Sequence, residues 1–183
     1  ALGDAPKLVF DTIDRFNIQA QDTRSGNLHM AHNAEGELDV DRRYAQLRRR
    51  GADVEILTGQ KCHEYCGTTS IQKALLDKRA GTVNPLAYVT GLAKTAHQLG
   101  VQIFENSSVT AMTKNGEQWE VNSTEAVVKA DKVVIATNAY TEGEWNEILK
   151  TIYFVQYFQI ASTPLGTAAD NILPYGNGAW DTR

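Results

Sequence analysis

Residues 132–141 read K-V-V-I-A-T-N-A-Y-T, and the fold expected for the rest of the chain turns on them. Val133, Val134 and Ile135 are a β-branched apolar run, the pattern of a strand buried on both faces of a sheet. Ala136, Thr137 and Asn138 then turn small and polar, so the backbone can leave the sheet at that point. Ligands of open α/β sheets sit beyond the carboxyl ends of the strands, which makes such a turn a natural cofactor contact. A buried strand followed by an ordinary loop accounts for the same residues equally well. The flanking segments tip the balance.

Immediately upstream, Val109–Thr113 and Gln118–Asn122 flank Asn115-Gly116, a strong short-range hairpin signal, with Trp119 and Val121 on one side. Glu125–Lys129 reads as one more short strand. Further back, Asn84 is a suitable N-cap and Pro85 occupies the first helical position, where its missing N–H costs nothing. Leu86, Val89, Leu92, Ala93, Ala96 and Leu99 form the apolar stripe of that helix, and Gly100 ends it. Gly91 and Ala93 are small enough to let it pack close to its neighbours. Val101–Phe104 follows as an expected strand. The order is therefore helix, strand, β-meander, strand, which points to a wound α/β unit.

The remaining segments carry weaker signals. Leu2, Ala5, Val9, Ile13 and Phe16 recur at helical spacing, so residues 1–17 read as an amphipathic helix entered near Pro6. Ile18–Thr23 and Asn27–Ala31 read as two strands joined around Ser25-Gly26. Residues 37–50 read as a second helix with Val40, Tyr44 and Leu47 on one face. Val54–Leu57 is extended, and Thr58 is placed to cap a short helix carrying Cys62 and Cys66. Beyond Thr141, Trp145, Ile148 and Leu149 suggest one helical turn. The aromatic, β-branched run 151–162 reads as a long strand, and Leu173–Trp180 as a loop.

With 183 residues and 42% apolar content the chain can bury one good core or two small ones. Its net charge of -4 argues against a surface made for nucleic acid. Arg48, Arg49 and Arg50 end a helix before Gly51, where cations complement the helix dipole. No apolar run approaches the roughly 20 residues of a membrane span. The first residues lack a signal peptide's basic flank and apolar stretch, so a soluble, cytoplasmic protein is expected. Two thiols in C-H-E-Y-C cannot close a zinc tetrahedron, so no metal site is expected and the cysteines read as reduced and structural. His29, His32, His63 and His97 are scattered, and none stands beside a carboxylate pattern that would make it a catalytic acid or base.

The run from Ala80 to Thr110, A-G-T-V-N-P-L-A-Y-V-T-G-L-A-K-T-A-H-Q-L-G-V-Q-I-F-E-N-S-S-V-T, resembles the central segment of FAD-dependent amine and amino-acid oxidoreductases. V-V-I-A-T-N-A-Y-T, F-Q-I-A-S-T-P-L, I-L-P and the closing D-T-R continue the resemblance over nearly the whole chain. The family is that of D-amino-acid oxidase, glycine oxidase and sarcosine oxidase, with the gamma-glutamylputrescine oxidase-like branch as the nearest likeness. The resemblance implies a mixed α/β and α+β fold: part of an FAD-binding α/β domain with a β-meander, and part of an antiparallel-sheet substrate domain. It implies substrate-domain portions at residues 1–80 and 143–183 and an FAD-domain portion at 81–142. It also implies that the Val109 backbone contacts the adenine end of FAD and that Ala136, Thr137 and Asn138 approach the ADP portion. Taken alone, Val109 fits a core valine at a strand end just as well. The strand expected from Thr151 would form a wall over the flavin ring.

The implied reaction is oxidation of the C–N bond of a small amine or amino acid. No catalytic residue is assigned. The family's Gly-x-Gly-x-x-Gly phosphate turn does not occur in this sequence, and a substrate-anchoring Arg or Lys is expected beyond Arg183. The chain starts without Met and ends at Asp181-Thr182-Arg183 with no closing element. The expectation is therefore an inactive internal fragment with weak or no FAD retention, exposed sheet edges and a tendency to pair as a homodimer through them. The competing expectation is a stand-alone, non-enzymatic α+β module that binds a nucleotide or serves as a subunit contact.

Overall fold

The computed structural model describes residues 2–141, 146–153, 155 and 158–181. Its elements in chain order are α1 (Ala5–Phe16), β1 (Asn27–Ala31), α2 (Ala34–Arg49), β2 (Val54–Thr58), α3 (Gly59–Cys66), β3 (Lys73–Asp77) and α4 (Pro85–Gln98). β4 (Val109–Asn115), β5 (Gln118–Ser123), β6 (Val127–Ala130), α5 (Asn146–Leu149) and β7 (Gly178–Asp181) follow. They divide into one unit of Ala1–Val101 with Ser162–Arg183 and a second of Gln102–Ala161. Mixed helices and strands, one mixed sheet and one antiparallel sheet make the expected α/β and α+β class.

In the first unit the sheet order is β2-β3-β1-β7, with β1 antiparallel to β3 and parallel to β7. Alternation along the strands sorts their side chains onto two faces. Leu28, Leu57, Ala74 and Leu76 form one cluster with Cys62 and Cys66 of α3. Ala31, Val54 and Leu75 form the other with Val40 of α2 and Ala52, backed by Tyr44 and Leu47. Both faces are covered, and Leu28, Leu57, Val40 and Cys62 are fully buried. Burying each such aliphatic side chain contributes about 1.5–3 kcal/mol. The run Ala74-Leu75-Leu76 gave no strand expectation by itself, yet it is the centre of this sheet. β7 falls in a stretch expected to be loop, because Gly176, Asn177 and Gly178 mask the short A-W-D strand behind them.

The helices follow the capping chemistry. Asn33 Oδ1 accepts from the Gly36 N–H at 2.8 Å and starts α2 three residues earlier than expected. Asn84 Oδ1 accepts from the Ala87 N–H at 3.1 Å at the start of α4. Thr58 precedes α3 as expected but makes no side-chain cap hydrogen bond. Gly91 lies against Ile18, where an added Cβ would stand 2.3 Å from Ile18 Cγ2. The expected close approach of α4 is thus made by Gly91.

The expected strand 18–23 does not form. Ile18 and Ala20 are buried with Ile13 against apolar residues of α1 and α4, and only Thr23 pairs, through one bridge to Thr82. The expected hairpin around Ser25-Gly26 is therefore replaced by pairing of β1 with β3 and β7.

The second unit contains the antiparallel meander β4-β5-β6. The hairpin expected at Asn115-Gly116 is present, with Gly116 at φ 63°, and Trp119 and Val121 lie opposite Ala130 and Val128 of β6. Three expected strands are absent. Residues 132–137 and 101–104 lie in no strand, and Val134 is 86% exposed. The described part of 151–162 also lies in no strand, with Ile160 97% exposed. Phe154, Gln156 and Tyr157 lie outside the described residues, as does Trp145 ahead of α5. The physical reason is common to all three: β-branched residues favour extended backbone, but a strand needs a ladder partner for its N–H and C=O groups. None of these runs has one among the described residues. No helix among the described residues is long and apolar enough to cross a membrane.

Candidate functional site

The 132–141 turn is built by its own hydroxyls. Thr137 Oγ1 and Thr141 Oγ1 are 2.7 Å apart, and Thr141 Oγ1 donates to the Asn138 carbonyl, also at 2.7 Å. Thr141 is buried, which anchors a 3₁₀ turn over Asn138–Tyr140. Asn138 itself sits at φ 48°, a left-handed conformation Asn tolerates better than most residues. Ala136, Thr137 and Asn138 are exposed around it. Thr137 and Asn138 are therefore brought together on one turn.

Val109 opens β4, paired with Ser123 and 47% exposed, so a fully buried core valine is not what the structure has there. The register shifts between Val109 and Ala111, and β4 is an edge strand. Part of its backbone hydrogen-bonding capacity thus points away from β5, the geometry with which a strand end can read a base edge. An exposed turn of small residues and an unpaired strand edge have the chemistry an adenine ring requires. No Gly-rich turn in the sequence fits its pyrophosphate.

A second cluster lies in the first unit and was not expected. His29 of β1 stacks on Trp180 of β7, ring centroids 3.9 Å apart and planes within 3°. Arg43 of α2 lies over the same indole at 5.2 Å, and its Nε donates to Asp39 Oδ2 at 2.6 Å. His29 Nε2 is 3.8 Å from that carboxylate oxygen. Burial lowers the pKa of His29, and the charge of Arg43 pushes the same way against Asp39 and Asp181. The buried imidazole is thus held neutral at neutral pH. Three positions along from His29, His32 Nδ1 faces Asp181 Oδ2 at 3.2 Å.

A cavity of about 280 Å³ opens beside this cluster, with Asn27, Asp77, Leu47 and Leu75 in its walls. Burial raises the pKa of Asp77, but hydrogen bonds from the Arg79 side chain and backbone outweigh it and leave the group lowered. Sequence reading missed the cluster because Trp180 was assigned to a loop. The i,i+4 spacing of Asp39 and Arg43 was the one available signal.

The remaining candidates fall into place. Cys62 and Cys66 are free and buried with sulfurs 3.9 Å apart, and burial pushes the Cys62 thiol up to about 12. They are packing thiols, not nucleophiles. His97 is exposed on α4, and His63 faces Gln72 at 3.3 Å. No group of His, Cys, Asp or Glu among the described residues is arranged to hold a metal.

A family model described as FAD dependent oxidoreductase (DAO) matches residues 3–182. Among curated proteins, the chain is 29% identical over 183 residues to a probable oxidoreductase OrdL of Haemophilus influenzae, covering 96% of this chain and 42% of that protein. It is 28% identical over 123 residues to the sarcosine oxidase subunit beta of an Arthrobacter species, covering 62% and 30% respectively. Among solved structures it resembles glycine oxidase from Geobacillus kaustophilus, with TM-score 0.65 and 23% identity over 75% of this chain and 38% of that one. An L-amino acid deaminase from Proteus vulgaris gives TM-score 0.68 at 16% identity over 82% and 40%. The chain thus spans about two fifths of the length of the first curated relatives it matches.

Proposed function

The chain belongs to the DAO family of FAD-dependent oxidoreductases, and from that premise we propose that the whole protein oxidises the C–N bond of a small amine or amino acid. The observation that carries this reading is the family match over residues 3–182, joined by relatives named as sarcosine oxidase and glycine oxidase. FAD, when bound, supplies the hydride acceptor. The residues of this chain serve to hold it. The Val109 backbone takes the adenine edge, and Ala136, Thr137 and Asn138 let the chain approach the ADP portion. The exposure of that turn and the edge position of β4 support these roles.

In this reading residues 81–142 form part of the FAD domain, and 1–80 and 143–183 form parts of the substrate domain. Taken by itself the 183-residue chain holds FAD weakly and turns nothing over, because its sequence carries no Gly-rich turn for the pyrophosphate. Its unpaired strand edges and exposed apolar residues, Val127 and Val128 of β6 among them, favour association of two copies.

The test is to purify the whole protein that carries this chain and measure its flavin content, then add small primary and secondary amines and amino acids without oxygen. Bleaching of the flavin band by an amine is the expected result. A protein that retains FAD but is reduced only by alcohols or by reduced nicotinamide would overturn the amine reading. A protein that holds no flavin would overturn the FAD reading.

A further inference from the structure

We propose that the cavity between α2 and the β1–β7 pair binds a small linear ω-amino acid, its ammonium at Asn27 and Asp77 and its carboxylate at Arg43. This concerns binding by the first unit and goes beyond the redox reading above.

Asn27 lines the cavity, and its Oδ1 is buried without a hydrogen-bond donor, which costs about 1–3 kcal/mol unless a donor arrives. Asp77 stands opposite Asn27 in the β1–β3 register, so two acceptors share that end. The other end carries the Arg43 guanidinium, held over Trp180 and backed by buried His29.

The lining is also electrically balanced. Asp77 is neutralised by Arg79, and Arg43 by Asp39. A lone cation or anion would leave uncompensated charge in a half-enclosed site, whereas a zwitterion brings its own balance. Leu47 and Leu75 provide an apolar wall for the methylenes between the two poles.

Spacing selects among zwitterions. Asn27 and His29 are two positions apart on one strand face, about 7 Å along the strand, and Arg43 stands over the Trp180 ring that stacks on His29. An α-amino acid is too short to reach both. A chain of four or five carbons spans that distance, and a cavity of about 280 Å³ is large enough to admit it.

The test uses the 183-residue chain and the indole N–H resonance of Trp180, assigned with Trp180→Phe. The probes are 5-aminopentanoate, pentylamine, pentanoate and alanine. Expected is a saturable shift with 5-aminopentanoate, at least about tenfold tighter than with any of the other three. Asn27→Ala should weaken that binding about tenfold, the loss of one hydrogen bond to a charged group. Arg43 is half-exposed at the cavity rim, and Arg43→Gln keeps much of the aliphatic stem, so the fold should stay in place, checked by resonance dispersion. It should erase the preference for 5-aminopentanoate over pentylamine. Equal binding of all four probes, tighter binding of alanine, or no saturable shift would each overturn the proposal. The redox reading would be untouched by any of them.

Discussion

The two units of this chain hold similar apolar runs and do opposite things with them. Ala74-Leu75-Leu76 has a neighbour strand on each side and a helix over each face, and it is buried. Val133-Val134-Ile135 is more β-branched and stands in no strand, with Val134 86% exposed. Local preference proposes extended backbone. Ladder partners and a covering layer decide whether a strand exists.

Truncating one residue in each run should separate the two units most strongly. Leu28→Ala, at the fully buried centre of the first sheet, should lose about 2–5 kcal/mol of unfolding free energy in a denaturant titration. Val134→Ala should stay within about 0.5 kcal/mol of the parent. Equal losses would mean that the second unit has a core of its own around that run.

The next effect in size concerns Gly91. Ala at this position would place a Cβ 2.3 Å from Ile18 Cγ2, and the expected cost is about 1–3 kcal/mol. Combining it with Ile18→Ala should cost clearly less than the sum of the two single changes, because the clash is then gone. Additive losses would show that α4 does not approach Ile18 so closely.

A smaller effect follows from His29. Its folded pKa is lowered, so the unfolded chain binds more protons once the pH falls to the usual imidazole value of 6.5. Stability is therefore unaffected by this group well above that value and declines as the pH drops through it. Thermal unfolding across pH 8 to 5 should show that decline in the parent and a shallower one in His29→Gln. Identical profiles would remove His29 as its source.

The smallest expected effect is silence. With its pKa pushed up to about 12, Cys62 should not react with an aromatic disulfide reagent at pH 8 until the chain is unfolded. Rapid labelling of the native chain would contradict the burial of α3 against the sheet.

The features legible in the sequence were those whose cause is local. Asn84-Pro85 carries its own cap, Asn115-Gly116 its own turn, and the Val40, Tyr44, Leu47 stripe its own face. What could not be read depended on distant partners. β7 is a strand because β1 accepts it in parallel, and Ile18–Thr23 is not one because Ile18 and Ala20 serve the α1–α4 cluster. The candidate cofactor turn was legible as small and polar residues. The His29–Trp180 cluster was not, since its members come from segments about 150 residues apart that only the sheet joins.

We propose above that the whole protein holds FAD through Val109 and the Ala136–Asn138 turn. Amide hydrogen exchange of the whole protein, with FAD bound and after its removal, tests it most directly. The predicted result is protection gained on FAD binding at Val109 and at residues 136–138, with little change in β1 and β3. Unchanged exchange at both Val109 and the turn, in a protein that demonstrably binds FAD, would contradict it.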